Sequence, residues 1–234
     1  MKTIKQIFIA LCLILFVNSE ILSQITLSEI IDKHVEATGL KGGMSNFKTV
    51  LIKGKFRQGE MDLPLEMSML FPNMLRFDMI YMEEKYTKAT NGEYDWELSP
   101  RVDTIIVSEV KKNPVFEIYN KWTGGLADYV ENGMIADYIG DTIIDNVNVY
   151  KISLLLDDIK SYLYIDKSTN LLIRVDENED GSSRSELSDY QKFNGFLLAK
   201  RIASFKYNAP SVIMMFDEIE INKEISEKIF NKPE

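Results

Sequence analysis

His34 is the only histidine in the 234-residue chain, so imidazole chemistry has to run through this one side chain. It falls on the apolar side of an amphipathic stretch, where a packed core histidine is the ordinary outcome. A Ser–His–Asp triad would need it, and no G-x-S-x-G elbow is present to hold the serine. Zinc needs several His or Cys ligands. Here Cys12 is the only cysteine, and it lies inside an N-terminal apolar run. Neither G-x-x-x-x-G-K-[ST] nor G-x-G-x-x-G occurs, so the common phosphate-cradling loops are missing.

Carboxylates offer two further chemistries. Asp176-Glu177-Asn178-Glu179-Asp180-Gly181 begins like the calcium loop D-x-N-x-D-G. That loop needs Glu at its last ligand position, which is Leu187 here, with Glu186 one residue early. A solvated hairpin tip explains the segment better. Glu83-Glu84 and Asp157-Asp158 are turn or edge acids by default. Glycoside hydrolysis needs a spaced carboxyl pair, and the sequence does not put Trp96 or Trp122 beside one as a sugar platform. The chain is read as a non-enzyme with no metal and no cofactor.

The stronger constellation is apolar. Leu65, Met67, Met69 and Phe71 alternate along one stretch, and Leu75, Phe77, Met79 and Tyr81 along the next. Glu66, Ser68, Arg76 and Asp78 take the opposite face. Six of the eleven methionines lie between positions 61 and 82. Methionine is flexible and polarizable and suits an apolar surface that adapts to varied partners. A plain sheet core packed on a helix would produce the same alternation and needs no ligand.

The elements that would position these residues read as follows. Ser28 to Thr38 is an amphipathic helix, with Leu27, Ile30, Ile31, His34 and Val35 on one face. Thr26 or Ser28 can cap it and Gly39 can stop it. From Thr49 the period becomes two, giving strands at 50–52, 53–57, 63–71, 75–82, 94–98 and 102–107. Residues 113–123 predict a second, short helix ended by Gly124-Gly125. Strands resume at Ile135 and run to about Ile221, divided by six turn candidates about 12 residues apart. These are Asp145-Asn146, Asp157-Asp158, Lys167 to Asn170, Asp180-Gly181, Asn194-Gly195 and Asn208-Ala209-Pro210. The expected fold is one antiparallel sheet of about ten or eleven strands, with a helix at its start and another mid-chain. So large a sheet should curl.

Lys2 and Lys5, the unbroken apolar run Ile7 to Val17 and the small residue Ser23 have the parts of a secretory signal. The run is shorter than the about 20 residues that span a bilayer, which sets aside an uncleaved anchor. Cys12 is preceded by Leu11 and followed by more apolar sequence, which sets aside a lipid-modified cysteine. Cleavage after Ser23 is expected, giving residues 24–234 as a single domain without cysteine. Disulfides and thiolate sites are then excluded, and a core must hold the domain together, which a chain of this length can bury. The net charge of −9 and the lack of a basic run exclude a phosphate-backbone partner.

Several motifs together resemble the LolA-like periplasmic lipoprotein carriers. They are Phe71-Pro72-Asn73 with Arg76-Phe77, Asn91-Gly92 with Trp96 and Pro100, Tyr162 to Arg174, and Ile219 to Pro233. The resemblance covers most of residues 26–233. It implies an unclosed antiparallel β-barrel whose open side is covered by helices, with an apolar cavity between that holds acyl chains. It also implies a lid helix carrying Ile30, Ile31, His34 and Val35. The cavity would be lined by Leu65, Met67, Met69, Phe71, Leu75, Phe77, Met79, Tyr81 and Trp96. In the best-known member an arginine precedes the Pro-Asn pair and latches the lid. Phe71 stands there in this chain, which leaves the cargo open.

The expected function is a soluble periplasmic carrier of lipid or lipoprotein. Its partners would be an acyl lipid or lipoprotein and membrane-bound donor and acceptor proteins, with no nucleic acid. The alternative is a non-enzymatic envelope sensor or interaction domain on the same half-barrel.

Overall fold

The computed structural model describes residues 25–233. The expected signal, its cleavage point and Cys12 lie outside the described residues. Among those residues no helix is long and apolar enough to cross a membrane.

The first helix, α1 (Leu27–Thr38), starts where its sequence says it should. Thr26 Oγ1 accepts from the Glu29 amide at 3.3 Å, and Glu29 Oε2 accepts from the Thr26 amide at 2.7 Å. This reciprocal box satisfies two of the amide donors that a helix start leaves open. Gly39, at φ 74, ends it. Six strands follow: β1 (Thr49–Gln58), β2 (Met61–Leu70), β3 (Met74–Tyr81), β4 (Glu84–Thr90), β5 (Tyr94–Ser99) and β6 (Val102–Glu109). Helix α2 (Pro114–Thr123) comes next. Asn113 Oδ1 accepts from the amides of Val115 and Phe116, Pro114 takes the first turn, and Gly124 closes the end at φ 77. Seven more strands complete the chain: β7 (Ile135–Ile144), β8 (Val147–Leu156), β9 (Ile159–Asp166), β10 (Leu172–Asp176), β11 (Ser183–Phe193), β12 (Phe196–Lys206) and β13 (Ala209–Ile221).

All thirteen strands form one antiparallel sheet in the order β6-β5-β4-β3-β2-β1-β13-β12-β11-β10-β9-β8-β7, left unclosed between β6 and β7. Every pairing but β1–β13 joins strands adjacent in sequence. The chain therefore has to cross from one sheet edge to the other between β6 and β7, and α2 lies on that crossing. Both helices cover the same face. Ile30, Ile31, Val115, Tyr119 and Trp122 share one buried core with Val50, Ile52, Leu65, Met67 and Met69.

Three expectations about the strands are corrected. The sheet has thirteen strands rather than ten or eleven, and the expected stretch 75–82 is followed by an unforeseen β4. The β3–β4 turn is Met82-Glu83, with φ 52 and 66. Two-residue hairpin turns of this hand usually carry Gly, Asn or Asp, so nothing in the residue types signals it. The expected strands 50–52 and 53–57 are one strand, irregular at Lys53/Gly54 where β1 meets β13. There the backbone of β13 passes so close that a Cβ on Gly54 would lie 2.0 Å from the Met215 carbonyl oxygen.

Candidate functional site

Strand register decides which predicted side chains reach the helix-covered face. Met67 pairs with Ile52 and Phe77, Met69 with Val50 and Leu75, and Leu65 with Met79. These residues and Tyr81 share that face. Leu65, Met67 and Met69 are each 3 % exposed or less and sit within the core. Leu75 and Phe77 pack on its edge. Ile30, Ile31 and His34 of α1 are buried above it, with Val35 at the margin. The space expected between α1 and these strands is filled by rings. Phe47 stacks on Phe71 at 5.5 Å and meets Phe196 at 5.1 Å and Tyr119 at 6.1 Å. Phe71 thus occupies the latch position as a packing residue.

Trp96 is corrected outright. It pairs with Ala89, which pairs with Arg76, and both lie on the face away from the helices. Its indole N–H donates to the Phe230 carbonyl at 2.7 Å, and the Arg76 guanidinium lies 5.7 Å over its ring. The C-terminal turn Glu227–Phe230 covers it there, with Phe230 fully buried. The pairing runs without a shift across β4, so Trp96, Ala89 and Arg76 share the outer face.

A roomier cavity lies elsewhere. It holds about 640 Å³ between α2 and the strands β8–β10 and is open at one side. Helix α2 builds its roof from two stripes. Val115, Tyr119 and Trp122 point into the core, and the Trp122 indole N–H is fixed to the Ala199 carbonyl at 2.9 Å. The neighbouring stripe, Phe116, Asn120 and Gly124, overhangs the cavity. The floor follows from strand period two: Leu154 opposite Ser161, Leu156 opposite Ile159, and Leu163 opposite Val175. Lys111, Lys112 and Lys121 stand at the rim with Glu117, Glu177 and Asp157. Lys121 pairs with Glu177 at 3.0 Å and Lys112 with Glu117 at 3.4 Å. Burial works against the Glu177 charge, but Lys121 and Ser183 outweigh it and hold the carboxyl below its ordinary range. Asn120 Oδ1 is the one buried side-chain polar atom without a partner among the described residues. A smaller cavity of about 430 Å³ borders Phe71 and shares Phe116 and Asn113 with the larger one.

Of the predicted cavity residues, only Phe71 touches either of these two spaces. Sequence reasoning passed over β8–β10 as plain hairpins. The available signals were the alternating Leu154, Leu156, Ile159, Ser161 and Leu163, and the Lys111-Lys112 pair just before the Asn113 cap.

His34 joins three elements rather than serving a reaction. Its Nδ1 lies 2.9 Å from the Asn170 carbonyl in the β9–β10 turn, and its Nε2 lies 3.4 Å from the Thr123 carbonyl at the end of α2. Desolvation pushes its pKa down against the pull of these carbonyls. Below α1, the Asp128 carboxylate accepts from the Met44 amide at 2.9 Å and from the Tyr119 hydroxyl at 3.2 Å. Burial, and then the Asp128 charge, pushes the Tyr119 phenol up. In the calcium-like segment, Asp176 is taken by Arg174 at 2.5 Å and by the Tyr164 hydroxyl at 2.9 Å. Asp180 accepts from the Ser182 amide at 2.9 Å. Among the described residues no group of three or more His, Cys, Asp or Glu side chains is placed to hold a metal ion.

No protein-family model matches the sequence. No curated protein matches it by sequence either. Solved structures do match. A LolA superfamily protein from Nitrosomonas europaea aligns over 89% of this chain and 99% of its own, at 13% identity and a TM-score of 0.57. A DUF1329 family protein from Desulfovibrio piger aligns over 89% and 98%, at 8% identity and 0.58. A domain from Vibrio parahaemolyticus, described as an outer membrane lipoprotein-sorting protein, aligns over 86% and 95%, at 9% identity and 0.55. At such identities the likeness is one of fold, and this chain has the LolA-like fold.

Proposed function

We propose that this protein is an exported, periplasmic carrier that shields the acyl part of a lipid or lipoprotein beneath α2. The observation that carries the reading is the half-open cavity of about 640 Å³, roofed by Phe116 and floored by Leu154, Leu156, Leu163 and Val175. Each methylene moved from water into such a space gains about 0.8 kcal/mol, so a chain of about 15 carbons gains roughly 10 kcal/mol before the costs of association. Binding and release need only an apolar space and a roof that can move, which fits a chain whose sole histidine is spent on two carbonyls. Residues 1–23 would be removed on export, and membrane-bound donor and acceptor proteins would load and unload the mature chain.

One observation favours a second reading. The rings of Phe47, Phe71, Tyr119 and Phe196 fill the inner face near α1, which suits a rigid interaction or sensor domain that carries nothing. The test is to express the full chain, isolate it gently from the periplasm and record its intact native mass. The carrier reading expects a chain beginning at Gln24 with an acyl lipid bound, and uptake of a fluorescent fatty acid after delipidation. Ligand-free protein that takes up no acyl probe leaves the sensor reading.

A further inference from the structure

We propose that the cavity under α2 accepts a single acyl chain and selects amphiphiles whose head is an anion, held by Lys111 and Lys112. This rests on the carrier reading and adds the class of ligand to it.

The chain number follows from volume. A packed non-hydrogen atom takes about the 30 Å³ share of a liquid water, so the space holds on the order of twenty such atoms. That is the scale of one long acyl chain. A space of about 430 Å³ adjoins it, with Phe116 and Asn113 lining both.

The head preference follows from how the rim charges are committed. Glu117 and Glu177 are already paired with Lys112 and Lys121. The Lys112–Glu117 pair is mostly exposed, at 70% and 51% for the two side chains. Such pairs are worth little and reopen easily. Lys111 has no carboxylate partner among the described residues. Asp157 is the rim acid on the strand side, in the β8–β9 turn. A head leaving the roof end therefore meets Lys111 and Lys112, with Lys111 uncommitted. The chain as a whole carries −9, so an anion finds this mouth attractive only through these local charges. Asn120, on the same roof stripe with an unpartnered buried amide oxygen, shows that this wall's polar groups are not fully satisfied by the protein.

The test uses delipidated protein isolated after export and four probes with C16 chains: palmitate, monopalmitoylglycerol, dipalmitoylphosphatidylglycerol and palmitoyl lysophosphatidylglycerol. The last separates a phosphate head from a carboxylate, and inorganic phosphate tests the head alone. Expected is one palmitate or lysolipid per protein, tighter than the neutral monoglyceride, with the two-chain lipid and phosphate excluded. In the double variant Lys111→Gln/Lys112→Gln that preference shrinks about tenfold, the worth of one charge-assisted contact. Lys151→Gln/Lys160→Gln, on lysines lying over Tyr162 on the far face, leaves it unchanged. Equal binding of neutral and anionic chains, a preference untouched by the first variant, or two chains per protein overturns this inference and leaves the carrier reading standing. Failure of every acyl probe to bind overturns both.

Discussion

The indole N–H of Trp96 and the carbonyl of Phe230 meet at 2.7 Å, across most of the sequence and on the face turned away from both helices. The C-terminal turn is thereby tied to β5. Arg76 adds a second tie, donating to the Ile229 carbonyl at 2.8 Å. The end of the chain is part of the outer surface of the sheet. Phe230→Ala removes a fully buried ring and should cost about 3–5 kcal/mol in urea unfolding. It should also raise the solvent exposure of Trp96 fluorescence, while acyl uptake on the opposite face persists. Unchanged stability would show that the turn does not dock.

Of the inner-face residues first expected to line a cavity, only Phe71 borders either of the two larger spaces. Met67→Ala should cost about 2–5 kcal/mol, because its side chain is 3 % exposed inside a filled core. It should leave the affinity for an acyl probe within roughly twofold, well under the tenfold of a lost strong contact. Ser161→Trp, on the floor of the 640 Å³ space, should do the reverse. It should change stability by less than about 1 kcal/mol and cut uptake at least roughly tenfold. The paired measurements are chemical unfolding and probe titration.

His34 sets a dependence on pH. Its folded pKa is depressed by burial, so the folded state favours the neutral ring. Above about pH 6.5, the value in an unfolded chain, the ring is neutral in both states and stability is whole. As pH falls below that point the unfolded chain takes up the proton first. Stability then falls by up to about 1.4 kcal/mol per pH unit until the folded ring also protonates. His34→Asn should flatten this part of the curve. Subtracting the two unfolding series between pH 7.5 and 5.5 cancels the carboxylates common to both proteins. Identical slopes would refute the assignment.

Gly54 marks the joint between the two ends of the sheet. A Cβ there would stand 2.0 Å from the Met215 carbonyl oxygen, and backbone on both strands would have to part. Gly54→Ala should cost about 1–3 kcal/mol, as overpacking does. Gly59→Ala makes a control for added bulk, since nothing lies within 4 Å of a Cβ at that turn, though its φ of 59 carries some strain of its own.

Much of the architecture was readable because it rests on local rules. Thr26, Gly39, Asn113, Pro114 and Gly124 bound the helices where cap chemistry puts them. Asp145-Asn146, Asp157-Asp158 and Asn194-Gly195 turn the hairpins with residues that tolerate positive φ. What escaped was non-local or chemically silent. Met82-Glu83 turns without any turn residue, and losing it hid β4. The cavity depends on α2 standing off β8–β10 while α1 packs against β12. Alternation alone marks both faces as apolar and says nothing about that gap. The pairing of β1 with β13 was equally invisible, since no residue type announces a partner on the far side of the sequence.

That pairing also divides the history of the molecule. Every other ladder closes over a short loop, so the blocks β1–β6 and β7–β13 can each zip locally and fast. Joining them closes a loop of more than a hundred residues, and such long-range contacts dominate folding time. The seam at Gly54 is therefore where folding should commit. Until it shuts, the β1 and β13 margins are two open sheet edges in one chain, the places where a nascent copy is most exposed to capture by a neighbour.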